Sequence, residues 1–436
     1  MKNSTKNALV IGFALFAMFF GAGNLIFPPY LGKAVGASYG TAIIGFLITG
    51  VGLPLSGVIA CAMINGSFED MANRVGKTFS VIATIGLILA IGPMLAIPRT
   101  AATTFELGVH PIFPSVSPII SVIVYFGITL FFVLRPSSLI DDIGKILTPA
   151  LLVMLAIIIV KGIIDPIGPV VATDYKNVFS SSLLEGYQTM DAMASVIFAS
   201  MILTSVRSKG YSTPKDVMMM TIKSAGVAVA GLAFVYGGLT YLGSQTSTLF
   251  PADIARTTLV TEIVKLDLGS IGSVILGLAV GLACLTTAIG LVSTGAEFFS
   301  KLTKGKVSYK VFAILISLVS GVIATQNVDK IVALAVPVLQ ILYPIVIVLI
   351  IMTLLGKKVK SDKIVAITTY VTLVVSVLDT INLLTANKIG FISGIVNAIP
   401  LAKAGFSWLI PAVAAFIIAS VVVKSDSGKN IKENIA

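Results

Sequence analysis

Ala8 to Leu31 reads ALVIGFALFAMFFGAGNLIFPPYL, a run long and apolar enough to cross a bilayer. Near its middle it carries Gly21, Gly23 and Asn24, with Pro28 and Pro29 a turn later. These residues weaken or forbid helical hydrogen bonding, and a simple anchor has no use for such a break. Freed N–H and C=O groups at membrane depth are tolerated only where protein buries them or a polar cavity receives them. The break therefore proposes a binding site; the alternative is that the glycines let a neighbouring helix pack closely.

Composition sets the class. The chain has 436 residues, 56% of them hydrophobic and only 11% charged, with a mean hydropathy of +1.03. A soluble domain with a charged coat is excluded, and a polytopic membrane protein in a lipid bilayer is the expectation. The first span is too long and too interrupted for a signal peptide, and no convincing cleavage site follows it. Cys61 and Cys284 fall in apolar runs, as buried hydrophobes do, and suggest neither a disulfide framework nor a metal cluster. The net charge of +11 is scattered through short loops with no aromatic interleaving, so it does not describe a nucleic-acid surface.

Runs of roughly 20 apolar residues give about twelve spans. They lie near 8–31, 40–64, 79–104, 117–134, 143–163, 180–206, 217–243, 270–299, 309–325, 328–355, 363–384 and 407–424. The longest loops fall around 164–179, 244–269 and 385–406. With the amino terminus inside, Lys2, Lys6, Arg74, Lys77, Arg135, Lys145, Arg207, Lys301 and the lysines from Lys424 onward lie on the cytoplasmic side. Lys33, Lys161, Arg256 and Lys330 belong to a smaller outer set. That asymmetry predicts that both termini are cytoplasmic.

The sixth span, SSSLLEGYQTMDAMASVIFASMILTSV, is interrupted as well, by Gly186, Gln188, Thr189 and Asp191. A carboxylate at mid-membrane depth costs about 2.5 to 3.5 kcal/mol on insertion scales, so Asp191 is expected to face the interior with a partner. Spans one and six open two sets of five (8–163 and 180–355), followed by two additional helices (363–424). Matched interruptions in two halves are the sequence signature of a transporter site. A purely structural scaffold does not explain them.

Other polar words are weaker. In the eighth span Thr286 and Thr287 follow Ala283, and adjacent hydroxyls suit a hard cation such as sodium; alternatively they bond back to carbonyls of the preceding turn. Span three contains Pro93 and Pro98, which should bend it, and Arg99 and Glu106, two turns apart and able to pair with each other or with a neighbouring helix. Arg99 is read as structural or gating, snorkelling toward the outer end. Asp379 lies deep in a span with no assigned role, and Glu297 near a cytoplasmic end. The single histidine, His110, sits in an outer loop, so no histidine proton relay is available. Gly277 and Gly281 read as packing, and Tyr236, Tyr241 and Trp408 as an interfacial belt. No zinc, phosphate-loop or nucleophile-elbow pattern occurs, which argues against an enzyme, and polar residues at one depth do not line a channel.

Four words together, FFGAGNLIFPP (19–29), GPMLAIPRTA (92–101), GYQTMDAMAS (186–195) and ACLTTAIGL (283–291), make the chain resemble the branched-chain amino acid:cation symporter family. That family belongs to the carriers built on the LeuT-type 5+5 inverted repeat, and the resemblance covers essentially the whole length. It implies an all-α fold of 12 transmembrane helices in the cell membrane of a bacterium. The substrate carboxylate would meet the N–H groups of Ala22, Gly23 and Asn24, and the ammonium would lie around Phe19, Gln188, Thr189 and Asp191. Met94, Ile97, Met190 and Met193 are wall candidates. Sodium would rest between the carbonyls of Ala17, Phe20 and Ala283 and the hydroxyls of Thr286 and Thr287; counterparts for a second sodium site are not identified. The implied activity is alternating-access uptake of leucine, isoleucine or valine with sodium and no other cofactor. The alternative is proton coupling, with Asp191 titrating, or another small neutral amino acid.

Overall fold

The computed structural model describes residues 4–135 and 139–423, with the backbone alone over 139–147. Lys2, Lys424, Lys429 and Lys432, and the side chain of Lys145, lie outside the described residues. The described chain is helical; its only pairing of extended backbone is an isolated bridge between Gly36 and Ala172.

The first predicted span is a broken pair, α1 (Ser4–Phe19) and α2 (Ala22–Val35), bent by 73°. Then follow α3 (Tyr39–Ile64), α4 (Lys77–Val109), α5 (Pro118–Val133) and α6 (Leu139–Ile164). The sixth span is the second broken pair, α7 (Val178–Tyr187) and α8 (Asp191–Ser208), bent by 40°. Then come α9 (Pro214–Ser244), α10 (Arg256–Leu302), α11 (Tyr309–Ala324), α12 (Val328–Leu354), α13 (Asp362–Leu384) and α14 (Leu409–Val422). Six of these helices are long and apolar enough to cross a membrane, or eight with each broken pair taken as one span. Shorter apolar helices occupy the remaining predicted positions.

Local chemistry explains the ends and the bends. Thr213, Ser117, Ser308 and Asn327 cap α9, α5, α11 and α12 by accepting a first-turn N–H. In α4 the backbone leaves helical geometry at Gly92, just before Pro93. Pro98 falls in the first turn of the segment that restarts at Ala96, where a missing N–H is harmless. A 47-residue α10 would be about 70 Å long, more than twice the hydrocarbon core. Gly269, at φ +69°, divides it into an outer helix and a membrane helix, so the expected loop 244–269 is partly helical. The loop 385–406 likewise contains a helix, Gly390–Ala398.

The outside of the bundle is apolar: Ile82, Ile123, Ile271 and Val322 are all more than 60% exposed. A row of such side chains is stable only against lipid tails, as a multi-pass membrane protein requires. Inside, α1 and α2 lie along α9. A methyl group on Gly32 would fall on the Thr240 carbonyl, and one on Gly243 on the Pro29 carbonyl, so these two backbones touch. Gly277 of α10 meets Gly108 of α4 in the same way, in keeping with its reading as packing. Cys61 and Cys284 are free and buried. Asp379, unassigned from sequence, accepts a hydrogen bond from the Ser407 hydroxyl at 2.7 Å, and Glu297 pairs with Lys301.

Gly243→Ala forces the α2 and α9 backbones apart and is expected to cost about 1 to 3 kcal/mol of stability. Gly226→Ala, on the same helix with nothing within 4 Å of the added carbon, should be neutral or slightly stabilising. Thermal unfolding of the two detergent-purified variants measures the difference.

Candidate functional site

The chain leaves helical geometry after Phe19, and Gly21 is extended at φ −123°, ψ −162°. The helix restarts at Ala22 and runs on through Pro28 and Pro29, so the prolines follow the break without causing it. The first-turn amides of Ala22, Gly23 and Asn24 have no intrahelical acceptors and form the positive end of α2. Gly21 donates its N–H to Asn24 Oδ1 at 3.1 Å, which orients the amide side chain. Across the bundle, α7 ends at Tyr187 and α8 begins at Asp191. Met190 makes the turn at φ +65°, a left-handed conformation that costs a non-glycine residue about 1 to 2 kcal/mol.

Three buried side chains tie the two breaks together. Asn24 Nδ2 donates to Asp191 Oδ2 at 2.7 Å and also to the Tyr236 hydroxyl, and that hydroxyl donates to the same Asp191 oxygen at 3.0 Å. The Tyr236 ring stacks on Phe20 at 6.5 Å and meets Phe46 edge-on at 5.3 Å. Tyr236 is therefore not part of an interfacial belt. It stands two turns inside the end of α9, at the depth of the breaks, and that offset from the helix end was the signal available in the sequence.

Arg99 also departs from its reading. It does not snorkel: it is 3% exposed. Its Nη1 donates to the Gln188 carbonyl at 2.6 Å and its Nη2 to the Thr189 carbonyl at 3.3 Å. These carbonyls belong to the C-terminal end of α7, the negative end of a half-helix. The guanidinium also lies 5.3 Å from the Phe27 ring centre. Glu106 does not pair with it, and instead accepts from the Thr257 hydroxyl at 2.5 Å and the Val328 N–H at 2.9 Å.

Between the breaks, α4 and α10 lies a small cavity of about 30 Å³. One end is polar, with Asn24, Arg99, Thr189 and Asp191; the rest is apolar, with Met18, Ile91, Phe198 and Leu291. An amphiphile with both charges at one end and a short hydrocarbon at the other fits this division. The model of the branched-chain amino acid transport protein family matches residues 4–426. The chain belongs to that family. It is 39% identical over 435 residues to the branched-chain amino acid permease BraB of Bacillus subtilis (strain 168), covering 97% of each chain. Among solved structures, inward-facing Mhp1 matches with a TM-score of 0.62 at 13% identity, covering 95% of this chain and 90% of that one. MhsT in complex with L-phenylalanine matches with a TM-score of 0.55 at 17% identity, covering 94% and 98%. These likenesses place the fold among the LeuT-type transporters, and the protein is a transporter and not an enzyme.

Of the substrate residues read from sequence, Phe19, Ala22, Asn24, Thr189, Met190 and Asp191 border this transporter's cavity. Gly23 lies behind it, its missing side chain making room for Arg99 and the Phe27 ring. Gln188 contributes the carbonyl that Arg99 occupies. Ile97 and Met193 are fully buried in the surrounding core, and Met94 is 42% exposed; none of the three borders the cavity. Ile91, Ala96, Thr100, Ala194, Phe198 and Leu291 do border it and were not singled out from sequence. Five of them are ordinary apolar residues that gave no cue, and Thr100 is a hydroxyl that bonds back to the Ile97 carbonyl of its own helix.

Of the cation residues read from sequence, Thr287 borders the cavity beside the first break: a methyl group on Gly21 would touch its Oγ1 at 3.5 Å. Thr286 and Thr287 both donate to the Ala283 carbonyl, at 2.9 and 3.0 Å. Each hydroxyl oxygen keeps acceptor lone pairs. Ala17 lies in the last turns of α1, and Phe20 is buried in the break.

Tyr236→Phe keeps the aromatic contacts and removes one donor from the buried Asp191 carboxylate. A hydrogen bond to a charged group contributes about 1.5 to 3 kcal/mol, so a drop of that size in stability is the expected outcome, read by thermal unfolding alongside Tyr241→Phe as control.

Proposed function

We propose that the protein imports leucine, isoleucine and valine by alternating access, driven by inward sodium movement, with both termini in the cytoplasm. The observation that carries this reading is the cavity itself, whose lining joins the clustered polar groups Asn24, Arg99, Thr189 and Asp191 to hydrocarbon side chains, set between two broken helices. The amides of Ala22, Gly23 and Asn24 supply a positive dipole end for the carboxylate. Asp191 and the carbonyl of Phe19 supply negative charge for the ammonium. Ile91, Ala96, Phe198 and Leu291 receive the aliphatic side chain. Since one methylene is worth only about 1 to 3 kcal/mol, such walls separate aliphatic from polar substrates better than leucine from valine.

Sodium is assigned to the oxygens of Ala17, Phe20, Ala283, Thr286 and Thr287. To accept it, the two threonines rotate their protons off the Ala283 carbonyl, which frees that carbonyl and turns hydroxyl lone pairs inward. A cation there links the first break to α10 and so couples ion binding to the packing of α1 against that helix. Proton coupling is the second reading, and a specific observation favours it: Asp191 is a buried carboxylate at the substrate cavity, held by two neutral donors.

Leucine uptake into proteoliposomes, driven by a sodium gradient or a proton gradient in turn, separates the two. Sodium alone is expected to drive accumulation, and Thr287→Ala at equal reconstitution is expected to abolish it. Accumulation driven by a proton gradient without sodium, or unchanged sodium dependence in Thr287→Ala, would remove the sodium assignment.

A further inference from the structure

The cation at the end of α7 changes where a zwitterion can place its charges. Arg99 holds the Gln188 and Thr189 carbonyls, the groups that family resemblance offers to the substrate ammonium. A second positive charge at those oxygens would meet the guanidinium face to face. The guanidinium meanwhile lies against Gly23, in the first turn of α2: a methyl group there would stand 2.7 Å from Nη2. Arg99 borders the cavity. Its Nε–H is buried without a partner, and each Nη carries a second hydrogen beyond the one given to a carbonyl.

We propose that Arg99 binds the substrate carboxylate together with the first-turn amides of α2, while Asp191 takes the ammonium. This deepens the proposed function and rests on its amino acid reading. A planar fork of donors suits a carboxylate better than any single amide does. The pair also solves a desolvation problem. Arg99 and Asp191 both border the cavity and carry opposite charges, and a zwitterion aligned with its carboxylate toward Arg99 and its ammonium toward Asp191 is attracted at both ends. The reversed orientation is repelled at both. Recognition by fixed charges makes the carboxylate a requirement, since removing it leaves the unpartnered Nε–H of the guanidinium without an anion.

The test compares leucine with leucinol, in which a hydroxymethyl group replaces the carboxylate, by calorimetry on the purified full-length carrier in sodium buffer at one pH. Wild type is expected to bind leucine at least about 100-fold more tightly than leucinol. Arg99→Gln should weaken leucine by roughly 100-fold and leucinol by less than about 3-fold. Arg99→Lys, which keeps the charge and loses the fork, should weaken leucine by about 10-fold with leucinol unchanged; it replaces the glutamine variant if that one does not fold. If either folded variant weakens both ligands by the same factor, Arg99 only pins the α7 end and the proposal is overturned while the transport reading stands. A wild type that binds no leucine overturns the amino acid reading, and this proposal with it.

Discussion

Inside a bilayer a peptide group that leaves a helix has no water to turn to, and each unsatisfied N–H or C=O costs several kcal/mol. Two interruptions at the same depth, at Phe20–Gly21 and at Gln188–Met190, multiply that cost unless the freed groups meet partners. The rest of the site is arranged around this constraint. Asn24 turns back to accept from Gly21, Arg99 covers the carbonyls at the end of α7, and the hydroxyl of Tyr236 joins Asn24 on Asp191. What stays unpaired, the first-turn amides of α2, sits beside a cavity. In the proposed reading a ligand would complete the hydrogen bonding that the chain leaves open, and the cost of the breaks would become affinity for an amino acid.

The division of labour between small and polar residues follows from the same constraint. Gly21 serves the break, being extended and close to Thr287, whereas Gly23 serves packing, yielding its side-chain space to Arg99. The break expected in FFGAGN thus falls at Gly21, and the close packing at Gly23. Gly32 and Gly243 bring the α2 and α9 backbones into contact, which holds Tyr236 at the depth where Asn24 and Asp191 meet.

Much of the architecture was legible in the sequence because hydrophobic length and Gly/Pro punctuation are one-dimensional signals. The spans follow the apolar runs, and the breaks fall where Gly21 and Gln188–Asp191 stand. The site was legible where residues were anomalous: a carboxylate and an asparagine in apolar helices call for partners. It was not legible where partners came from elsewhere. Nothing in GPMLAIPRTA states that Arg99 reaches a helix end about ninety residues later in the chain. Met94 and Ile91 are equally apolar, and helical phase across the Gly92 break decides that Ile91 borders the cavity while Met94 is exposed. That phase cannot be counted through a residue that leaves the helix.

The hydrogen bonds also sort by what they would do in a rocking cycle, in which α1, α2, α3, α7, α8 and α9 move against α4, α5, α10 and α11. In such a cycle Asn24, Asp191 and Tyr236 would all belong to the moving set, so their bonds would travel with it and keep the two breaks in register. Arg99 belongs to the other set and holds carbonyls of the moving one, and Thr287 stands beside Gly21 across the same seam. Any relative motion has to exchange these contacts. A substrate carboxylate on Arg99 and a cation on Thr287 would act where the moving and fixed parts meet, so both ligands would bias the same equilibrium through differential contacts, as coupling requires. A ligand held only by the Asn24, Asp191 and Tyr236 cluster would ride with the bundle in every state and shift nothing.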